Sequence, residues 1–271
     1  MTRIEDDKAL LAKVTQAVEH AGQQLLARFL TIPAPTTLPD LLAGIDANDA
    51  VVEAGLRDAL LAALPGSQWA ADEEEKGALP AGDWWVADPA EGNVNHLHGR
   101  PGWGVTATLV RDGEPVLTVV AIPLTGDTYT ALAGRGAFLN GKPIQVSAKQ
   151  ELAAAIVASG QASPGEPKAI GSAMIRSAGK LLDAALLVRL SVPSMLELID
   201  VAAGRLDAFW QHGSVRAGLI GGALLVREAG GLVTDLTGER WTAASPDFLA
   251  GPPALQPAIL TVLSSTSEYD A

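Results

Sequence analysis

The sequence contains no cysteine. That excludes disulfides, thiol catalysis and cysteine-ligated zinc. It also lacks any uninterrupted apolar run near the ~20 residues that a membrane-spanning helix requires. The opening stretch MTRIEDDKALLAK is charged and carries no apolar h-region, so no signal peptide is expected. Positive charge is scarce: 19 Lys and Arg stand against 31 Asp and Glu, a formal net charge of −12. With no basic cluster to break that acidity, a nucleic-acid partner is not expected, and ordinary solubility accounts for the acidic surface. There is no internal repeat, low-complexity tract or flexible linker. These absences describe a cytoplasmic chain without membrane or nucleic-acid partners. What is present is 271 residues, 48% of them hydrophobic, ample for one large domain or two modest lobes.

Leu11, Val14, Val18, Ala21, Leu25 and Phe29 recur at helical spacing, which predicts a helix from Ala9 to Leu30 that Ile32-Pro33-Ala34-Pro35 brings to an end. A loop is expected to Asp46. A second helix is expected from about Asp49 to Leu64, capped by Asp46 or Asp49, with Val52, Leu56 and Leu60 on one face. Beyond it, Trp84–Ala87 reads as a short buried strand leading into a Pro/Gly/Asn-rich turn. Val105–Leu109, Pro115–Ile122, Thr128–Ala133 and Ala137–Leu139 read as further strands. Turns are expected at Arg111-Asp112-Gly113-Glu114 and at Asn140-Gly141. From about Glu151 strand-like and helix-like patterns alternate: Ala154–Ser159, Gly179–Leu187, Leu196–Ala203 and Leu219–Glu228. The chain therefore divides into an N-terminal α+β lobe, 1–148, and a C-terminal α/β lobe, 149–271, packed tightly as one unit.

Three segments stand out chemically. The first is Ala71-Asp72-Glu73-Glu74, soon after Pro65-Gly66. The second is Asp88-Pro89-Ala90-Glu91-Gly92-Asn93-Val94-Asn95, followed by His98-Gly99. The third is Val201-Ala202-Ala203-Gly204-Arg205-Leu206-Asp207-Ala208-Phe209-Trp210, followed by Glu228-Ala229-Gly230-Gly231. Each alone is weak, because short acidic runs usually mark solvated loops. In this order and spacing, with Asp49-x-x-x-Glu53 and Gly136-Ala137-Phe138-Leu139-Asn140-Gly141-Lys142 in support, the chain resembles the inositol monophosphatase family over essentially its whole length.

The resemblance implies a mixed α/β fold, a layered α/β/α/β/α sandwich that is usually a homodimer, and Mg²⁺-dependent hydrolysis of a phosphate monoester on a small-molecule substrate. Carboxylates suit Mg²⁺, a hard cation that takes oxygen ligands, and paired metals clamp both oxygens of an in-line displacement. Carried over residue by residue, the metal positions fall on Glu73, Asp88, the carbonyl of Ala90 and Glu91. The catalytic positions fall on Glu74, Asn93 and Asp49, and those facing substrate on Gly92, Asn93, Gln211 and Arg216. Gly92 stands where the family's glycine lets backbone N–H groups approach a phosphate oxygen.

Several matched positions depart from the family pattern. Glu91 replaces the second Asp of the signature. Asn93 replaces its Thr, losing the hydroxyl that passes a proton from water to the acid at Glu74. Counting back from Glu228, the third carboxylate falls on Gly218, which has no side chain. Gln211 replaces a substrate-contacting Glu, and Val192-Pro193 replaces a Gly-Ser pair. These changes cluster on one function, so one Mg²⁺ per chain, or none, is expected, together with weak ordinary phosphatase activity. Two alternatives stay open: a metal-independent acid/base enzyme built on the same fold, and a non-catalytic metabolite-binding protein. Arg216, two residues before Gly218, either turns inward to pair with Glu91 or Asp88 in place of the second cation, or is a solvated loop residue. His96 and His98 suggest zinc only faintly without a third ligand. The tryptophans read as packing residues, and Gly221-Gly222 reads as a site of close helix packing.

Overall fold

The computed structural model describes residues 3–70, 77–160, 167–213, 216–266 and 269. Two long helices come first. Helix α1 spans Arg3–Arg28, and its apolar stripe of Val14, Val18, Ala21 and Leu25 is buried. It ends short of the prolines, where Leu30 takes a left-handed φ of 60°. Helix α2 spans Leu38–Ala63, so it starts well before the expected loop ends, and Asp46 and Asp49 lie inside it rather than capping it. The local chemistry explains the early start. Thr37 is the N-cap: its backbone is extended and its Oγ1 accepts the N–H of Asp40 at 3.3 Å. Pro39 occupies the first turn, where a missing N–H costs nothing, and Asp40 faces the positive end of the helix dipole.

The first sheet has seven strands in sequence order: β1 (Gln68–Trp69), β2 (Asp83–Glu91), β3 (Gly104–Arg111), β4 (Glu114–Ile122), β5 (Asp127–Leu132), β6 (Ala137–Leu139) and β7 (Lys142–Pro143). All neighbours pair antiparallel except β1 with β2. Asp112-Gly113 and Asn140-Gly141 turn the hairpins with φ of 52° and 85°, and of 50° and 74°. Those positive angles match the right-handed strand twist. Strand β2 does not stop at Ala87 as expected; it runs on to Glu91. Its pairing slips, because Asp88 faces Thr106 while Glu91 faces Gly104. Pro89 sits in that bulge, where a ladder hydrogen bond is already missing, and so does not end the strand.

The second sheet has the order β11-β12-β10-β8-β9, from β8 (Ile156–Ser159), β9 (Leu187–Leu190), β10 (Ala208–His212), β11 (Leu232–Thr234) and β12 (Asp247–Gly251). The expected segment 179–187 divides between helix α4 (Lys168–Ala184) and the first residue of β9. Helices α5 (Ser194–Ala202) and α6 (Ala217–Glu228) lie between the sheets, α4 and α7 (Gln256–Ser264) cover the outer face of the second, and α1 with α2 cover the outer face of the first. The order is helix, sheet, helix, sheet, helix. A short helix, α3 (Asn93–Leu97), follows β2.

Gly221 and Gly222 mark where the middle layer is tightest. A Cβ on Gly222 would lie 2.6 Å from Leu198 Cβ of α5, and one on Gly221 would lie 2.7 Å from Thr118 Oγ1 of β4. Of the third motif's polar residues, Glu228 accepts the backbone N–H groups of Gly134, Arg135 and Gly136 at 2.7, 3.0 and 2.7 Å. Asp207 accepts Lys149 Nζ and the N–H of Ile156, both at 2.7 Å. Both carboxylates tie turns to the sheets. Among the described residues, no helix is long and apolar enough to cross a membrane.

Candidate active site

The bulge that ends β2 aims its polar groups into one place. Asp88 Oδ1 accepts the N–H of Ala90 at 2.8 Å, closing a tight turn, and Thr106 Oγ1 accepts the N–H of Asp88 at 3.3 Å. Glu91, 4% exposed, ends the strand. Gly92 then caps α3 with φ 79°. A Cβ there would sit 2.5 Å from Gly102 O and 3.2 Å from Pro193 Cδ, so this position admits only glycine. Asn93, the first residue of α3, lies between two neighbours on α2: its Oδ1 accepts from Asn48 Nδ2 at 2.7 Å, and its Nδ2 donates to Asp49 Oδ1 at 3.1 Å.

Two carboxyls here are shifted upward. Burial raises Asp88 to about 7; the Ala90 N–H pulls it back and the negative charge of Asp49 pushes it further up. Burial also raises Asp49 to about 6, with Glu53 and Asp46 adding repulsion. Clustered acids in a partly dry site hold protons that isolated ones release.

The opposite wall comes from the second sheet. Gln211 near the end of β10 is 4% exposed, and its Oε1 accepts the hydroxyl of Ser194, the first residue of α5, at 2.6 Å. A Cβ on Gly160 would come within 3.1 Å of that oxygen, so the chain leaving β8 closes on the pair. Arg216, the N-cap of α6, is 3% exposed and donates through Nη1 to the carbonyl of Gly77 at 3.3 Å. Gly218 lies in the first turn of α6 and offers no ligand atom. Glu73 and Glu74 lie outside the described residues. Beside the site, a cavity of about 670 Å³ is lined by residues that include Asn95, Arg100, Arg189, Val192 and Glu197.

The structure thus gathers Asp49, Asp88, Ala90, Glu91, Gly92 and Asn93 at the end of β2, with Gln211 across the site. His96 has no ligand role: it is 2% exposed, takes Asn48 and the Leu25 carbonyl as partners at 3.0 Å each, and packs edge-on against Trp103. Sequence reasoning missed Asn48 and Ser194. Asn48 left one signal, as the polar member of the stripe it shares with Val52, Leu56 and Leu60. Among the described residues, no group of three His, Cys, Asp or Glu side chains could hold a metal ion. The donors at this bulge, the carboxylates of Asp88 and Glu91 and the carbonyl of Ala90, are oxygens, the donor type that a hard cation takes.

Comparison with known proteins agrees with this architecture. An inositol-1-monophosphatase from Rhizobium meliloti is 34% identical over 232 residues, 85% of this chain and 86% of its own. A putative Nus factor SuhB from Neisseria meningitidis is 29% identical over 261 residues, 92% and 96% of the two chains. Among solved structures, the extragenic suppressor protein SuhB of Bartonella henselae superposes with a TM-score of 0.81 at 27% identity, covering 96% of this chain and 100% of that one. The inositol monophosphatase of Anabaena gives 0.77 at 25%, covering 94% and 95%. Members of this group generally use Mg²⁺ and include phosphatases. The sequence profile described as "Inositol monophosphatase family" matches residues 12–268, and the chain belongs to that family.

Proposed function

We propose that the chain is a cytoplasmic enzyme of this family that acts on a small phosphorylated or anionic metabolite and hydrolyses ordinary sugar phosphates only weakly. The observation that carries this is the composition of the matched positions: an intact bulge at Asp88–Gly92, an amide at position 93, and a side-chain-free Gly218 in the first turn of α6. Asp88, the Ala90 carbonyl and Glu91, with Glu73, would hold one Mg²⁺, which when bound would supply positive charge against a phosphate. Gly92 keeps the left-handed turn that starts α3 packed against Gly102, and Gln211 contacts the substrate. The neighbouring cavity has the volume of a small-molecule site, and its lining balances Arg100 and Arg189 against Glu197, which pairs with Arg189 at 3.3 Å, and Asp200.

Asn93 departs furthest from hydrolysis. A hydroxyl accepts and gives a proton through one atom, whereas an amide accepts at oxygen and donates at nitrogen, and so relays nothing. Water activation then falls to Glu74 alone. Arg216, enclosed at the start of α6, replaces part of the charge of the second cation. A second reading keeps the fold and drops the metal. It is favoured by the raised Asp49 and Asp88, which are suited to holding and releasing a proton near neutrality. In either case the chain pairs with a second copy through the edge strand β9 and α4, where Leu182, Leu186, Leu187 and Leu190 are 61, 58, 55 and 54% exposed.

Release of phosphate from inositol phosphates with Mg²⁺ separates the readings. Wild type is expected to lie ~10²–10⁴-fold below a competent member, the usual cost of a lost base or electrostatic stabiliser. The combined change Glu91→Asp, Asn93→Thr and Gly218→Asp is expected to raise it. Rapid Mg²⁺-dependent turnover by wild type would refute the reading, and turnover of an unphosphorylated substrate without Mg²⁺ would favour the second.

A further inference from the structure

Asn93 is one link in a hydrogen-bonded chain whose direction is set at its far ends. Arg28, in the last turn of α1, can only donate, and its Nε reaches Asn48 Oδ1 at 2.9 Å. That settles which end of the Asn48 amide is oxygen. Asn48 Nδ2 then donates to Asn93 Oδ1 at 2.7 Å and to His96 Nδ1 at 3.0 Å. Since His96 Nδ1 accepts, its proton sits on Nε2, 3.0 Å from the carbonyl of Leu25, which can only accept. An obligate donor at one end and an obligate acceptor at the other therefore demand the same arrangement. The links are closed to water: Asn48 is 0% and His96 2% exposed, and the imidazole lies 5.4 Å from the Phe29 ring and 4.7 Å from the Trp103 ring, centroid to centroid. With its oxygen committed to Asn48, Asn93 turns its nitrogen to Asp49 Oδ1 at 3.1 Å.

We propose that Asn48 is a positioning residue for the candidate active site, passing the fixed polarity of Arg28 and Leu25 to Asn93 so that Asn93 presents N–H, not oxygen, to Asp49. This rests on the reading of the β2–α3 junction as the active site. It deepens that reading, because Asn48 and Asn93 become a matched pair of amides. Arg28, Asn48 and His96 also fasten the start of α3 to α1 and α2, which holds Gly92 and Asn93 in place under the bulge.

Nuclear magnetic resonance on the full chain tests this without any substrate, so its outcome is independent of whether turnover is found. In wild type at pH 7, His96 is expected to be neutral with its proton on Nε2 alone. The side-chain N–H of Asn93 that faces Asp49 should exchange with solvent about tenfold or more slower than a free amide, the worth of one partly buried hydrogen bond. Asn48→Asp keeps the shape and replaces the donor by an acceptor. His96 should then carry a second proton, on Nδ1, and the Asn93 protection should be lost. Asn48→Leu should lose the Asn93 protection while Leu25 keeps His96 in its wild-type form. An Nδ1–H tautomer in wild type, an unprotected Asn93 side chain, or an Asn48→Asp spectrum unchanged at both residues would each overturn the proposal. If neither variant folds, the two wild-type measurements decide it.

Discussion

Replacing Asp88 by asparagine in metal-free protein is expected to stabilise the fold above neutral pH, against the usual result of changing a residue at an active site. Asp88 moves from 3.8 to about 7 on folding, chiefly because burial disfavours its charge. The folded state therefore binds this proton more tightly than the unfolded chain does. The resulting stability is complete below pH ~4 and is lost as pH rises through 7. A shift of this size corresponds to ~4 kcal/mol at ~1.4 kcal/mol per pKa unit, and partial solvent access to the side chain reduces it to ~1–3 kcal/mol. The amide oxygen of the substituted side chain can still accept the Ala90 N–H that Asp88 Oδ1 takes at 2.8 Å. For a chain of this size ~1 kcal/mol moves the Tm by ~2–4 °C. Thermal unfolding with a chelator at pH 4, 5, 6, 7 and 8 should show Asp88→Asn and wild type nearly equal at pH 4, the gap widening between pH 5 and 7, and the variant higher by ~2–10 °C at pH 8. Taking the difference between the two proteins cancels the carboxylates they share. A difference that stays flat with pH, or an Asp88→Asn protein less stable than wild type at pH 8, would refute the reasoning.

Other outcomes follow from the same structure. Glu228→Ala leaves three backbone N–H groups of the β5–β6 turn without their acceptor and should cost ~1–3 kcal/mol in denaturant unfolding, with Glu228→Gln recovering part of it. Gly222→Ala forces a methyl into Leu198 and should cost ~1–3 kcal/mol by overpacking, whereas Gly55→Ala, where nothing lies within 4 Å, should be neutral or stabilising. A double change of Leu187 and Leu190 to Lys should shift the mass measured by light scattering from two chains to one. Arg216→Ala should weaken binding of anionic ligands and raise the apparent pKa of the acid cluster, both measurable by titration; no change in either would make the residue a structural cap only.

Legibility in the sequence follows the range of the forces involved. The hairpins at Asp112-Gly113 and Asn140-Gly141 are readable because two residues decide them. The start of α2 and the end of β2 differ from expectation for one reason: proline reads as a breaker unless its N–H is already redundant. At Pro39 the first helical turn makes it so, and at Pro89 a bulge does. The positions at the end of β2 are legible because Asp88 to Asn93 are contiguous and family-like. The Asn48–Asn93 match is not, since the two lie 45 residues apart and only the fold joins them. The third motif, which resembles the family's C-terminal core motif, is structural: Glu228 and Asp207 tie turns to the sheets through backbone N–H groups and Lys149.

The central claim, that this member of the family works with at most one cation, is tested most directly by calorimetric titration of metal-free protein with Mg²⁺ at pH 8, where Asp49 and Asp88 are both ionised. One Mg²⁺ per chain, or none, is the predicted result, with any single site lost in Glu73→Ala and in Asp88→Ala. Two Mg²⁺ per chain bound by the wild-type protein would contradict the account.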